Sequence, residues 1–153
     1  MSADERAITE AIRVARQLTA SRREELRTSP IPTSVRARRR QGDELALLDH
    51  ADSGLSIIDA HGVALAQLGR ERAAGLLVQL AAGRRGEARR LYLAGAATLE
   101  ERLAASDAST EATLARTAAR ERAADEVLDG LTELGLLALR AAVPFLLAGL
   151  AGL

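Results

Sequence analysis

Arginine is the residue type in this chain whose spacing most clearly suggests chemistry. Residues 22–40 hold seven arginines and two glutamates, a net charge of +5, and the chain has no lysine. Guanidinium groups stay charged and make forked contacts with phosphate or carboxylate. A second pair lies in the turn-like "GRRG" at 83–86. The hypothesis is an anion-binding or nucleic-acid-binding set that comprises Arg22, Arg23, Arg27, Arg36, Arg38, Arg39, Arg40, Arg84 and Arg85.

The same arginines have a structural interpretation, because the formal net charge of zero is divided into blocks along the chain. Residues 41–68 hold five acids and no arginine, and residues 69–92 hold six arginines and two glutamates. Blocks of opposite sign can pair within one chain or between copies of it. Base stacking is not expected beside the arginines, since the aromatic residues are Tyr92 and Phe145. Backbone-phosphate binding and charge pairing both remain open.

Residue types used for catalysis are scarce. The absence of cysteine and lysine removes thiolate and Schiff-base chemistry and the lysine of a phosphate-binding loop. Ser56 in "GLSII" lacks the second glycine of a nucleophile elbow, and only two histidines are available as bases. We therefore predict no enzymatic activity, no cofactor and no small-molecule substrate.

The stretch "DHADSGLSIIDAHG" has the residue types of a metal site. His50 and His61 are eleven residues apart, which on a helix puts them on one face but ~16 Å apart. Neither has a carboxylate three residues before it, as paired Glu-x-x-His motifs of di-iron bundles require. We predict no metal site and expect both histidines at the edge of a packed helix face.

Residues 134–153 carry a single charge, Arg140, and "FLLAGLAGL" after Pro144 has no polar side chain. Nine residues of helix reach ~14 Å, too short for a ~30 Å hydrocarbon core. Three roles stay open: burial against the core or a partner subunit, insertion of residues 127–153 into a membrane surface, and a longer membrane span that would have to carry Arg140 inside it. We favour burial against a partner subunit and expect deletion of 145–153 to leave a folded, smaller species. The residues predicted to self-associate are Leu136, Leu137, Phe145, Leu146, Leu147, Leu150 and Leu153.

The elements that position these groups are predicted to be helices, because Ala, Leu, Arg and Glu lead the helix propensity scale and strand formers are few. The first helix spans 3–28, with Ser2 and Glu5 in capping-box spacing, and is ended by prolines. A Pro/Arg-rich linker at 29–41 follows it. Residues 42–128 then form a long antiparallel hairpin with arms 42–82 and 87 to about 128, provided that the candidate break "SDAST" at 106–110 does not end the second arm. An apolar helix and tail, 129–153, packs with the first helix at the open end.

Glycines interrupt the first arm of this hairpin at four positions. Gly54, Gly62, Gly69 and Gly75 weaken the helical pattern and indicate a kink or a close backbone approach.

The second arm of the hairpin carries several arginines opposite the acids of 41–68, and we expect these arginines and acids to pair.

The sequence as a whole predicts a single all-α domain over 1–153. The favoured function is a non-enzymatic, self-associating scaffold, a homo-oligomer joined through the apolar C-terminus and the complementary charge blocks. The alternatives are a coat or packaging protein that binds the nucleic-acid backbone through an arginine-rich arm, and a peripheral membrane protein using residues 127–153. The charged N-terminal segment differs from a signal peptide, so we expect a cytoplasmic protein.

Overall fold

The fold consists of packed α-helices. A computed structural model describes residues 2–103 and 110–152, with side chains described outside 98–113. The helices are α1 (Ala3–Thr28), α2 (Val35–Ala60), α3 (Gly62–Gln67), α4 (Arg70–Ala81), α5 (Arg85–Leu103), α6 (Thr110–Leu131) and α7 (Leu136–Ala151). These ranges contain no strand, and the predicted all-α class is confirmed. The predicted break at 106–110 lies outside the described residues except for Thr110.

Helix α1 has the bounds that its capping signals predict. The backbone N–H of Glu5 donates to Ser2 Oγ at 3.1 Å, and the N–H of Ser29 closes the last turn on the carbonyl of Glu25. Pro30 then prevents continuation, since a proline disfavours helical geometry in the residue before it. Ile8, Ile12 and other apolar residues of one face are buried.

Helix α2 begins earlier than predicted, so the assignment of 29–41 as a linker is wrong beyond residue 34. Ser34 is the N-cap, and its Oγ accepts the N–H of Ala37 at 3.0 Å. Both prolines precede this cap, and arginine is a good helix former, so nothing opposes helix from Val35 onward. The arginines of 36–40 therefore lie on the first turns of α2.

The continuous hairpin is also corrected. Its first arm is divided into α2, α3 and α4, with a turn at His61 and a second at Gly69, whose φ of 87° suits glycine. Its second arm is divided into α5 and α6, which lie antiparallel. Arg85 pairs with Asp129 at 2.7 Å and Arg89 with Asp125 at 3.2 Å across that contact. The 83–86 turn is present, with Gly83 at φ 80° between α4 and α5.

Helix α7 lies in the centre of the molecule and packs chiefly on α2 and α1, then on α4. Glycines permit these close approaches: a Cβ on Gly54 of α2 would lie 2.2 Å from the carbonyl oxygen of Ala138, and one on Gly149 would lie 2.4 Å from that of Ala11. The single charge of α7 is used in the fold, because Arg140 Nε donates to the carbonyl of Ala81 at 2.7 Å and so caps α4. The predicted apolar tail thus forms part of the chain's own core.

Candidate functional site

A two-helix projection is the feature that separates the candidate site from the rest of the fold. No residue between 20 and 47 is buried, although α1 is buried on one face up to Thr19 and α2 from Leu48 onward. We call residues 20–47 the arm and the remainder of the described chain the bundle. At 1.5 Å per residue the arm extends roughly 15–20 Å beyond the bundle. Its tip is the connection 29–34 together with the first turns of α2.

The two helices of the arm share a thin contact. Leu26, Ala37 and Leu45 are half-buried between them. Gln41 adds a polar link, because its Nε2 donates at 2.9 Å to the carbonyl of Leu26, one of the last carbonyls of α1. Such carbonyls lack a partner within their own helix. Gln41 therefore caps α1 and sets the register of the arm.

We call the part of the arm between its tip and the bundle, residues 20–28 and 41–47, the stem. Ion pairs join its two helices and continue to Asp49 and Asp52 at its base. Arg22 contacts Glu44, and Arg23 contacts Asp49 at 2.9 Å and Asp52 at 2.7 Å. The hydrogen bond from Arg22 lowers the pKa of the Glu44 carboxyl, and the same contacts raise the pKa of Arg22. The hydrogen bond to Asp52 likewise raises the pKa of Arg23. Glu44, Asp49, Asp52 and Asp59 of α2 thus each pair with an arginine of α1.

A buried threonine anchors the base of the arm. Thr19 is 1% exposed, and its Oγ1 donates to Asp52 Oδ1 at 2.8 Å, while its position also allows a bond to the Arg16 carbonyl. Asp52 thus links Thr19 and Arg23 in one contact between α1 and α2. Thr19 was not among the residues predicted from the sequence. The signal was a polar side chain four positions after Ala15 on the apolar face of α1, because a buried hydroxyl requires a partner.

The arginines at the tip behave differently from those of the stem. Four of them are exposed and form no ion pair with any described residue: Arg36, Arg38, Arg39 and Arg40. Arg38 makes one bond, to the carbonyl of Thr33 at 3.3 Å. No acid occurs between Glu25 and Asp43 to neutralise the cluster. The tip is therefore a concentrated positive surface.

The remaining predicted anion-binding residues do not join this cluster. Arg22 and Arg23 are held in the stem, and Arg27 pairs with Glu24 at 2.8 Å within α1. Arg85 pairs with Asp129, and Arg84 is exposed at the turn after α4. The predicted set thus separates into four tip arginines and five residues with other surroundings.

Exposed apolar side chains accompany the arginines of the tip. Ile31 is 83% exposed and Val35 is 77% exposed, the two largest values among the big apolar residues of the described chain. Pro30 is exposed beside them. The tip therefore presents both positive charge and apolar surface.

The residues predicted for self-association lie mostly within the bundle. Leu146 is 2% exposed, and Phe145, Leu147 and Leu150 are half-buried against the core. Leu136 is half-buried, Leu137 is 51% exposed, and Leu153 lies outside the described residues. In the segment predicted to meet a membrane, several residues before α7 are buried as well: Val127, Leu128 and Leu131. An intact bundle offers little of this surface to a partner.

The described residues offer no metal site. These residues contain no group of three or more His, Asp or Glu side chains placed to hold a metal ion. His50 is exposed, whereas the ring of His61 packs on Gly130 and its Nδ1 lies 3.0 Å from the carbonyl of Ile57. A cavity of about 280 Å³ between α3, α5 and α6 is lined by Tyr92, whose pKa is raised by burial and then by Glu126.

The described helices are too short or too charged for a membrane span. No single described helix is long and apolar enough, and α6 with α7 reach that length only as a pair bent by 91°.

Comparisons of the chain with protein-family models, with curated proteins and with solved structures found no match.

Proposed function

We propose that this chain is a non-enzymatic helical binding module whose arm docks on a surface that carries phosphate groups. The observation that supports the proposal is a contrast within the arm: arginines of the stem have carboxylate partners, whereas the four at the tip have none among the described residues. An arginine cluster without acids matches the forked geometry of phosphate oxygens.

The position of the cluster increases its affinity for anions. Arg36 is three and four residues from Arg39 and Arg40, and like charges at this spacing destabilise a helix by about 0.2–0.5 kcal/mol per pair. The cluster also lies at the helix N-terminus, where the macrodipole is positive and acids are normally preferred. A bound anion relieves both effects.

The stem supports this function by holding the tip away from the bundle. Because Gln41, Glu44 and Asp52 fix α2 against α1, the cluster is displayed without ordering a flexible tail at the moment of binding. A preorganised site keeps more of its interaction energy as affinity.

Self-association draws less support as the main function. The apolar residues assigned to it are largely used inside the bundle, and much of the charge of α1 and α2 is paired within the chain. The chain could have the arm and also oligomerise through another surface, but no surface of the described residues points to such an interface.

The test replaces all four tip arginines with glutamine and measures the salt concentration that elutes each protein from phosphocellulose. A matched control replaces, also with glutamine, four exposed arginines of the bundle that form no ion pair with any described residue: Arg6, Arg72, Arg84 and Arg122. Both variants lose the same net charge. We expect the tip variant to elute at clearly lower salt than the control variant. The slope of log K for binding to phosphocellulose against log salt should be reduced by about 3 relative to the native chain. Equal shifts in the two variants would show that net charge, and not the tip, governs binding.

A further inference from the structure

We infer that the phosphate surface recognised by the tip is that of an anionic lipid bilayer, into which Ile31 and Val35 insert. This inference rests on the proposed function and adds to it the class of partner. It starts from a feature that phosphate binding alone leaves unexplained, the exposure of two branched apolar side chains at the most distal point of the arm.

The tip combines the two kinds of side chain that a membrane surface selects. Apolar groups enter the boundary between headgroups and acyl chains, while arginines bind lipid phosphate and keep their stems along the apolar region. Ile31 lies in the connection between the helices and Val35 is the first residue of α2, and Arg36 and Arg38 follow within one turn. The exposed surface is thus apolar at the end of the arm and positive directly behind it.

Nucleic acid fits the same tip less well. Sequence-independent binding to single strands uses aromatic side chains as stacking platforms, and Tyr92 and Phe145 both lie in the bundle, at most partly exposed. A duplex backbone attracts arginine but gains nothing from Ile31 or Val35. The apolar pair therefore distinguishes lipid from the other phosphate surfaces.

The shape of the arm agrees with insertion at its end. Pro30 and Pro32 restrict the backbone of the connection and remove two N–H groups that would otherwise enter the membrane boundary unpaired. The stem holds its charges on α1 and α2, nearer the bundle, where they remain in water. Such an anchor lies on the bilayer surface and does not cross it.

The experiment measures partition of the full chain onto vesicles of phosphatidylcholine alone and with about 30% phosphatidylserine, in parallel with binding to a duplex DNA. Changing Ile31 and Val35 to serine should reduce partition onto the phosphatidylserine vesicles at least about tenfold. It should leave retention on phosphocellulose unchanged. Each tip arginine replaced by glutamine should reduce vesicle partition about fivefold. The matched control is Val63→Ser with Leu134→Ser, two exposed apolar residues of the bundle, and should have no effect.

A tryptophan reporter gives a second, direct readout, because the chain contains no tryptophan. Ile31→Trp should show a blue-shifted emission with phosphatidylserine vesicles, whereas Val63→Trp should not. An unshifted Ile31→Trp spectrum, or a serine variant that partitions like the native chain, would overturn the lipid inference. Duplex DNA binding that depends on the tip arginines would then retain the proposed function and name nucleic acid as the partner. If neither vesicle partition nor DNA binding depends on the tip, and phosphocellulose elution is also independent of it, the proposed function itself is overturned.

Discussion

In the bundle, α1, α2 and α7 approach one another through glycine and alanine, whereas in the arm α1 and α2 are joined mainly by side chains that carry charge. Gly54 and Gly149 bring backbones close enough that a methyl group would clash. In the arm, where no residue of 20–47 is buried, Arg22 reaches across to Glu44, and Arg23 reaches Asp52 at the base. The same two helices therefore change their mode of contact at Thr19.

This difference means that the bundle supplies most of the stability, while the arm presents the tip to a partner. Burial of apolar surface supplies most of the free energy of folding, and exposed ion pairs supply little. The arm can therefore carry substitutions at its tip without loss of the bundle, while small changes in the bundle affect the whole chain.

Deletion of residues 145–153 should unfold the protein. The deletion removes the second half of α7 with buried Leu146 and half-buried Phe145, Leu147 and Leu150. At about 1.5–3 kcal/mol for each fully buried large side chain, the loss is about 5 kcal/mol or more, comparable with the whole stability of a domain. Circular dichroism should show loss of helix and of cooperative melting. This reverses our sequence-based expectation of a folded, smaller species, because the tail lies in the chain's own core.

A pair of substitutions on α7 controls for the length of that deletion. Leu146→Ala should cost about 2–5 kcal/mol, as expected for a buried leucine, while Leu137→Ala, at a position that is 51% exposed, should cost well under 1 kcal/mol. A stable, helical truncated chain, or equal costs for the two leucines, would contradict the placement of α7 in the core.

Gly54→Ala tests the close contact of α2 with α7. The added Cβ meets the backbone oxygen of Ala138, which cannot move as a flexible side chain would, so α2 and α7 must separate. We expect a loss of about 3 kcal/mol or more in urea unfolding, at the upper end of overpacking. Gly42→Ala is the matched control on the same helix, in open space in the arm, and should stabilise by about 0.5–1 kcal/mol. Effects of equal sign would show that the two regions do not differ in packing.

The sequence predicts best where a local signal decides the structure. Ser2, Glu5 and the prolines define α1, and the arginines of 36–40 are recognisable as an exposed cluster from charge alone. Two local signals were underweighted: Ser34 as an N-cap, and Gly69 as a position that prefers positive φ. Both change the predicted layout, because Ser34 decides where α2 begins and Gly69 decides where the first arm of the predicted hairpin is divided.

The remainder depends on contacts distant in sequence. Whether Arg23 meets an acid of α2 or of another helix follows from the antiparallel arrangement of α1 and α2, which no periodicity encodes. The role of α7 is similar, since an apolar helix looks the same in a core, at a subunit interface or at a membrane. Only its fit against Gly54 and Ala11 distinguishes the first case.

Arg140→Met tests a charged side chain that belongs to the bundle. Its Nε caps the carbonyl of Ala81 at the end of α4, and methionine keeps most of the apolar stem while removing the donor. Hydrogen bonds from charged groups contribute about 1.5–3 kcal/mol, and solvent exposure reduces this to about 1 kcal/mol here. Arg122→Met, at an exposed position on α6, should be neutral in thermal melting. Equal effects would mean that the cap adds nothing beyond net charge.

Acidification should loosen the arm before it affects the bundle. Because Arg22 lowers the pKa of Glu44, the contribution of this pair is present above the unfolded value near 4.3 and is lost as pH falls through the lower folded value. As the pH falls below the unfolded value of about 4.3, amides of 20–47 should lose protection from hydrogen exchange, after correction for the intrinsic rate. In the Glu44→Gln variant, the loss of protection on acidification should be smaller, because the contribution of the Glu44 carboxylate is absent at every pH. Glu10 is the control: Arg13 lowers its pKa in the same direction, but both lie on α1, so Glu10→Gln should leave the arm unaffected. A Glu44→Gln arm that titrates like the native one would assign the acid response to other carboxylates and weaken the role given to this pair in holding the tip.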